Sequence, residues 1–530
     1  MNRDTVRMAI GFAVIVAILI AWQLMFRPEA RRQAAPVVAV DTLVQSDGPV
    51  AVPAEHVASG VPVLFSSATP PETSVVIENE LLRVTFSSVG GAISSAYLKR
   101  DHADLVPSNG LIFTPGLVTE RGHLDLARTP FHVRVDSGRV TLTAGDDSIG
   151  MTRTFTLDQG HTIRLEVKTR GAIAHTIGCP VGLAVTESNS KEDLSHFHFY
   201  SRSGNKTRTL SARSLKHPVS DTSRIRWVAL KTKYFFVAAF DTSRDIDAAR
   251  IEATPDDRIS FEARAENDSG TLTLYVGPLE YNELRSFGLG FEDAVSLGWA
   301  KPISIAILWL LELLYRIFKN WGIAIIIFAI IMKAAFYPLT RSQTAQMRRM
   351  QQLQPKLSEL KKKHKDDAQA LNQETMQLYK LYKINPLSGC LPMLVQLPVF
   401  WALYSVLRSH IELRGAGFIL WLKDLSQPDA LFGHLPFFGN PPIGLLPILM
   451  GVSFIAQNLL TSADKKNWAM TIIFPVFITV IFLNFPSGLQ LYWFMYNVLS
   501  IVESLIGLKG GARWIKKSPA AVAPAPTGRI

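Results

Sequence analysis

The chain has 530 residues, 55 Lys and Arg against 44 Asp and Glu, and only two cysteines, Cys179 and Cys390. That length accommodates several domains, and two cysteines in different halves do not indicate a disulfide framework. No G-x-x-x-x-G-K-[ST] run and no G-x-G-x-x-G between a strand and a helix occurs, which argues against work driven by the chain's own NTP hydrolysis.

Taken in chain order, residues 1–27 read as a transmembrane anchor. Met8–Phe26 is apolar, longer than a signal-peptide core, and followed by basic residues rather than a small-x-small site. Residues 28–72 are rich in Ala, Val and Pro without a sustained period and read as a flexible tether. From 73 to 290 the pattern alternates with period two. "VVIENELLRVTFS", "FHVRVDSGRVTLTA", "MTRTFTLDQGHTIRLEVKTR", "RIRWVALKTKYFFVAAF", "RISFEARA" and "TLTLYVG" are separated by Gly, Asp and Asn. Alternation of this kind predicts an all-β sandwich. The "HFH" of His196 and His198 has no Cys or third His beside it and reads as a polar loop or strand end rather than a metal fragment. Nothing in this region forms a paired-carboxylate or triad signature. No catalytic residue, metal site or cofactor is expected.

Residues 291–320 contain an amphipathic helix, with Glu312, Arg316 and Lys319 on one face and Ile, Leu and Trp on the other. It suits a membrane interface. Five further apolar stretches follow, Trp321–Thr340, Leu387–Leu407, Pro442–Leu460, Ala469–Phe485 and Leu489–Leu508, so six spans are expected with the anchor. The loop 341–386 holds ten Lys and Arg against four acids, and the tail 509–530 holds five basic residues and no acid. The excess places both termini and this loop in the cytoplasm and the 73–290 region outside, in the periplasm of a bacterium. Within the loop, Met350, Leu353, Leu357 and Leu360 recur at helical spacing. After Asp366 and Asp367 a second set follows, Leu371, Leu378 and Leu381. Together they predict a helical hairpin, stopped at Asn385-Pro386.

Two features of the spans bear on function. Lys333 lies twelve residues after Trp321, roughly 18 Å into the membrane at the helical rise. A lysine at that depth either snorkels or faces protein or water. In the last span Gln490, Asn497 and Ser504 recur every seventh residue, with Trp493 and Ser500 on the same side. Gln396 and Gln457 add amides in two other spans. A cation and several amides at related depth point to a wet cavity between helices; each amide alone could serve as interhelical glue. No histidine lies within a span and Glu503 is the one acid, near an inner end, which argues against a proton relay or an intramembrane protease.

The runs "NWGIAIIIFAIIMKAAFYPLTRSQ", "LQPKL", "NPLSGCLPMLVQLPVFWALY", "LPILMGV" and "FPSGLQLYWFMYNVLS" resemble the YidC/Oxa/Alb insertase family. "WVALKTKYFFVAAF" and "LYVGPLEYNEL" resemble the periplasmic domain of its Gram-negative members. The resemblance implies an α+β membrane protein of the bacterial inner membrane: six transmembrane helices, five of them (321–508) forming the insertase core, with a periplasmic β-super-sandwich and a cytoplasmic helical hairpin. It implies insertion and folding of nascent membrane proteins, alone or with the Sec translocon, through a hydrophilic groove open to lipid and cytoplasm. The ribosome is a further implied partner, met by the hairpin and tail. The family's groove cation, usually arginine, falls on Lys333. Gln457, Trp493, Asn497 and Ser500 are the other groove residues expected here. A tethered periplasmic sugar-acting enzyme and a polar-solute transporter are the rival readings. The first leaves five spans unexplained, and the second finds no internal repeat.

Overall fold

The computed structural model describes residues 72–515 apart from 242, 267–268, 365–366, 383–390, 436–439 and 462–467. The anchor Met8–Phe26, the tether up to residue 71 and the tail from 516 lie outside the described residues.

The alternating half folds into three antiparallel sheets of four, nine and six strands. Strand Thr162–Arg170 illustrates the period: Ile163, Leu165 and Val167 are buried while Arg164 and Lys168 are exposed. Alternate side chains point to opposite faces of a strand, so one face meets the core and the other is solvated. The strands Trp227–Lys231 and Phe235–Phe240 are buried on both faces and pair through Ala229 and Ala238. Strand Ala174–Cys179 in the six-stranded sheet is also buried throughout. The sheets share one apolar core. Phe199 meets Phe261 at 5.7 Å between the nine- and six-stranded sheets, and Phe86 meets Phe155 at 4.6 Å between the four- and nine-stranded ones. Arg153 lies inside this core and donates to the carbonyls of Gly91 and Phe113. Desolvation lowers its pKa to about 9.

The helical half begins with α1 (Lys301–Phe318). Its buried residues, Ser304, Ile307, Leu308, Leu311 and Leu314, recur at three and four, and they form the face that packs on the next elements. Trp309, Leu313 and Ile317 on the opposite side are exposed, so the helix is apolar on two faces. Lys319 ends it in the left-handed region at φ 52°. Asn320 then caps α2 by accepting from the Ile323 N–H at 3.0 Å.

Helix α2 (Trp321–Lys363) joins the expected span and the first arm of the expected hairpin in one element. Its apolar span covers Trp321–Pro338, and the helix then continues without a break into the first arm of the hairpin, 43 residues in all, about 65 Å at 1.5 Å per residue, twice what a bilayer core needs. Pro338 and Pro355 lie inside it. Each removes one i→i−4 hydrogen bond, which kinks a helix but need not end it. Helix α3 (Ala368–Leu381) returns along α2. Asp367 is its cap, accepting from the N–H groups of Gln369 and Ala370, and Leu353 and Leu357 pack against Met350, Leu378, Tyr379 and Tyr382.

Four more helices complete the bundle: α4 (Leu391–Ser409), α5 (Leu445–Thr461), α6 (Phe474–Phe482) and α7 (Ser487–Ile515). Among the described residues α2 and α7 are long and apolar enough to cross a bilayer by themselves, and α5 and α6 are shorter. The fifth expected span is broken in type: Ala469–Ile473 is a π-helical turn, and α6 follows it. Pro475 accounts for this locally. It has no N–H to give, so the ladder shifts, and the Phe474 N–H reaches back to Ala469.

Candidate functional site: a cation between two long helices

Helix α7 lies at the centre of the bundle, against α2 and α5 and in contact with α4. Its polar residues therefore face different neighbours. Lys333 of α2 meets α7 directly. Its Nζ donates to Ser500 Oγ at 2.8 Å and lies 2.8 Å from Glu503 Oε2. The ammonium also sits 4.8 Å from the Tyr496 ring centroid, a cation–π distance. The Ser500 hydroxyl donates in turn to the Tyr496 carbonyl at 2.8 Å, and Thr340 Oγ1 donates to the other oxygen of Glu503 at 3.3 Å. Tyr496, Ser500 and Glu503 are spaced at four and three, so they form one edge of α7. The Lys333 and Glu503 side chains are 12% and 19% exposed. That exposure suits a pair set between helices rather than a lysine stretched to the membrane surface.

The other polar residues of the expected stripe face other neighbours. Asn497 donates to Ser453 Oγ at 3.1 Å and faces α5. Gln457 lies one turn beyond Ser453 on the same helix face. Trp493 packs between Phe400 of α4 and Phe482 of α6, at 5.5 and 5.3 Å. Gln490 donates to the carbonyls of Phe482 and Phe485 and so fastens the α6–α7 turn. Of the expected set, Lys333 and Ser500 touch. The stripe on α7 is real as a pattern, but several helices share it. Glu503 and Tyr496 were missed as partners of Lys333, and Thr340 as a partner of Glu503. The available signal was the spacing of Glu503 from Ser500, one turn along the same edge.

At the other end of the bundle the α4–α5 connection, residues 410–444, closes the gap between helices. Ser487 and Gly488, the first residues of α7, donate their N–H groups to Gln427 and Leu425 carbonyls at 2.8 and 2.9 Å. Helix termini leave such donors unpaired, and here the loop satisfies them. Asp429 accepts from the Leu446 N–H of α5 at 2.8 Å and from the Trp421 indole at 3.0 Å. Phe418 lies so close to Gly322 of α2 that a β-carbon there would overlap its ring. The same loop grips the β domain. Arg414 pairs with Glu187 at 2.7 Å and donates to the Asp101 and Thr186 carbonyls. Arg100 pairs with Glu412 at 2.8 Å. Arg408, at the end of α4, lies 3.5 Å from Glu192, which Lys233 also holds at 3.1 Å. His196 of the "HFH" run faces Arg408 at 3.3 Å. Burial, with Arg408, Lys231 and Lys233 nearby, drives its pKa down to about 2, so it is a neutral acceptor.

The two halves match two family models, "YidC periplasmic domain" over residues 74–310 and "60Kd inner membrane protein" over 313–511. The membrane protein insertase YidC of Pelobacter propionicus is 32% identical, over 93% of this chain and 97% of its own length. That of Chlorobaculum parvum is 30% identical, over 95% and 94%. A crystal structure of an active YidC insertase with its first transmembrane domain resolved is 21% identical and covers 82% of this chain and 93% of that one, at a TM-score of 0.40. A cation held between two membrane helices, a β domain seated on the opposite end of the bundle and near-full-length similarity agree: the chain belongs to the YidC/Oxa/Alb family of membrane protein insertases.

Proposed function

We propose that this chain inserts membrane proteins along the edge of the bundle where α2 and α7 meet, with Lys333 as the group that receives acidic residues of the incoming segment. The family is non-enzymatic, and the chain is an inner-membrane protein with a periplasmic domain. The observation that carries the reading is the Lys333 contact with Ser500 and Glu503: a largely shielded ammonium whose partners are one hydroxyl and one carboxylate.

The physics of the step follows. A polar outer segment must cross about 30 Å of hydrocarbon. A hydrated notch around Lys333 shortens the dry path and offers a counter-charge part of the way across. The substrate's apolar helix leaves along lipid-facing surfaces and partitions into the bilayer, which supplies the free energy. The membrane potential adds ~2.3 kcal/mol per charge per 100 mV and drives acidic segments toward a positive outside. Gln457 and Asn497 belong to the α5–α7 wall of this notch, and Trp493 to its closed end.

The finer organisation belongs to the same proposal. Six spans, an anchor at 1–27, a tether at 28–72 and cytoplasmic termini follow from the charge asymmetry of the loops. The β domain at 73–290 is taken as a super-sandwich, 291–320 as an interfacial helix, 321–508 as the insertase core and 509–530 as a basic tail. The hairpin of α2 and α3 is then cytoplasmic, with nascent chains and the ribosome as its partners. The Sec translocon is a partner of the membrane core.

The test is charge reversal at the site. Lys333→Glu would lower insertion of a substrate with an acidic outer segment more than about tenfold, or ~1.4 kcal/mol, because it sets a second carboxylate beside Glu503. Lys333→Arg would support insertion. Equal insertion by both variants in a strain depleted of its own insertase removes the charge from the mechanism.

A further inference from the structure

We infer that Glu503 is an internal stand-in for the substrate: it occupies Lys333 at rest, and an acidic residue of the incoming segment must displace it. This rests on the reading of Lys333 as the substrate-receiving cation and adds to it a residue that sets how strongly acidic segments are favoured.

The geometry is that of a substrate carboxylate already in place. Glu503 lies 2.8 Å from Lys333 Nζ. Its second oxygen is held by Thr340, two turns beyond Lys333 on α2, so the carboxylate bridges two levels of that helix. Ser500 and the Tyr496 ring complete the ammonium's surroundings. No other acid is paired with Lys333 among the described residues. A buried ammonium without a counter-ion is costly, so a resting Lys333 needs an acid, and Glu503 supplies it. The same fact makes the pair a competitor: an entering carboxylate gains Lys333 only as Glu503 gives it up. Lysine suits this exchange. It is a point charge on a flexible stem and does not lock a carboxylate with two parallel bonds as arginine can.

Glu503 is thus a specificity-setting residue. Its charge raises the threshold for acidic segments and leaves neutral segments, which do not compete for Lys333, less affected. Replacing it with glutamine keeps the shape and a hydrogen-bonding oxygen for Thr340, and removes the competing charge.

The experiment uses the full chain in proteoliposomes and two single-span reporters that differ only in aspartate or asparagine in the translocated segment. The readout is the ratio of their initial insertion rates for wild type, Glu503→Gln, Glu503→Asp, Lys333→Gln and the Lys333→Gln/Glu503→Gln double variant. Glu503→Gln is expected to raise the aspartate-to-asparagine ratio severalfold, Glu503→Asp to keep it near wild type, and the double variant to match Lys333→Gln. An unchanged or lowered ratio in Glu503→Gln, in protein whose thermal unfolding in detergent matches wild type, overturns the competition. So does a raised ratio that persists in the Lys333→Gln background. If Lys333→Gln leaves the ratio at the wild-type value, the reading of Lys333 itself fails, and that outcome is separate from the fate of Glu503. Should Glu503→Gln not fold, Glu503→Ala under the same readouts takes its place.

Discussion

Two sets of charge pairs join the parts of this molecule, and they are built in opposite ways. At the β-domain end, Arg414 has three acceptors at once, the Glu187 carboxylate and the carbonyls of Asp101 and Thr186. Glu187 is 8% exposed, and the neighbouring pairs Arg100–Glu412 and Arg408–Glu192 lie along the same seam. Between α2 and α7, Lys333 has one carboxylate, one hydroxyl and one ring face. A guanidinium with several fixed acceptors makes a joint, whereas an ammonium with one carboxylate makes a contact that can change partner. The difference teaches where motion is tolerated: the seam fixes the β domain and the closing loop, and the groove keeps its charge available.

The sharpest way to break this comparison is to cut the seam. Arg414→Ala leaves Glu187 buried beside carbonyls that lose their donor. Removing one partner of a buried pair costs about 3–5 kcal/mol. The full chain in detergent is expected to unfold at a clearly lower temperature, with the β domain becoming accessible to protease at the 410–444 loop. Unfolding at the wild-type temperature would mean that the seam is no firmer than the groove pair.

A smaller effect is expected from Asp429, which joins the closing loop to α5. Asp429→Ala removes the acceptor for the Leu446 N–H and for the Trp421 indole. Loss of a helix-terminal acceptor costs ~1 kcal/mol and an unpaired buried indole donor about as much again, so about 2 kcal/mol is expected by denaturant unfolding. Asp429→Asn, which keeps an oxygen, should recover about half. If Asn is no better than Ala, the hydrogen bonds are not what the loop contributes.

Much of the fold was legible because burial imposes a period. Alternation along Thr162–Arg170 and along Arg139–Gly145 marks half-buried strands, and the apolar runs of α2 and α7 mark membrane helices. Strand Ala174–Cys179 hid because it is buried on both faces and includes His175, Thr176 and Gly178, so it shows neither alternation nor an apolar run. The join between the span and the hairpin in α2 was not legible for a different reason: polarity changes near Thr340, and hydropathy marks a change of solvent without saying whether the helix is interrupted there. The site was legible in part. Depth along a helix placed Lys333 and Ser500 at related levels, but depth does not give azimuth. Which polar residues of α7 face α2, and which face α4, α5 or α6, depends on how five helices pack, and no local spacing encodes that. Glu503 was read as an acid at the end of a span because its partner lies on another helix.

A third kind of charge pair, at the surface of the β domain, sharpens the comparison by responding to pH. His123 Nε2 lies 2.9 Å from Glu262 Oε1, with both side chains about two-fifths exposed (42% and 41%). The hydrogen bond from Glu262, opposed by desolvation and aided by its charge, holds the His123 imidazole above its ordinary value of 6.5. The same bond, with one from Thr176, holds the Glu262 carboxyl below its ordinary value of 4.5. A raised histidine contributes stability that is fully present below the unfolded value, about 6.5, and is lost as pH rises through the folded value. A lowered carboxyl contributes stability that is present above about 4.5 and is lost as pH falls through its folded value. The pair is therefore at full strength between these limits. Solvent screening keeps its effect well below that of the seam. Wild type should lose more thermal stability between about pH 6 and pH 8 than His123→Gln, while variants of Arg414, which leave the His123–Glu262 pair intact, should keep the contribution of that pair. If His123→Gln shows the wild-type slope as well, the proton responsible sits elsewhere, and surface and seam would no longer be separable by their response to pH.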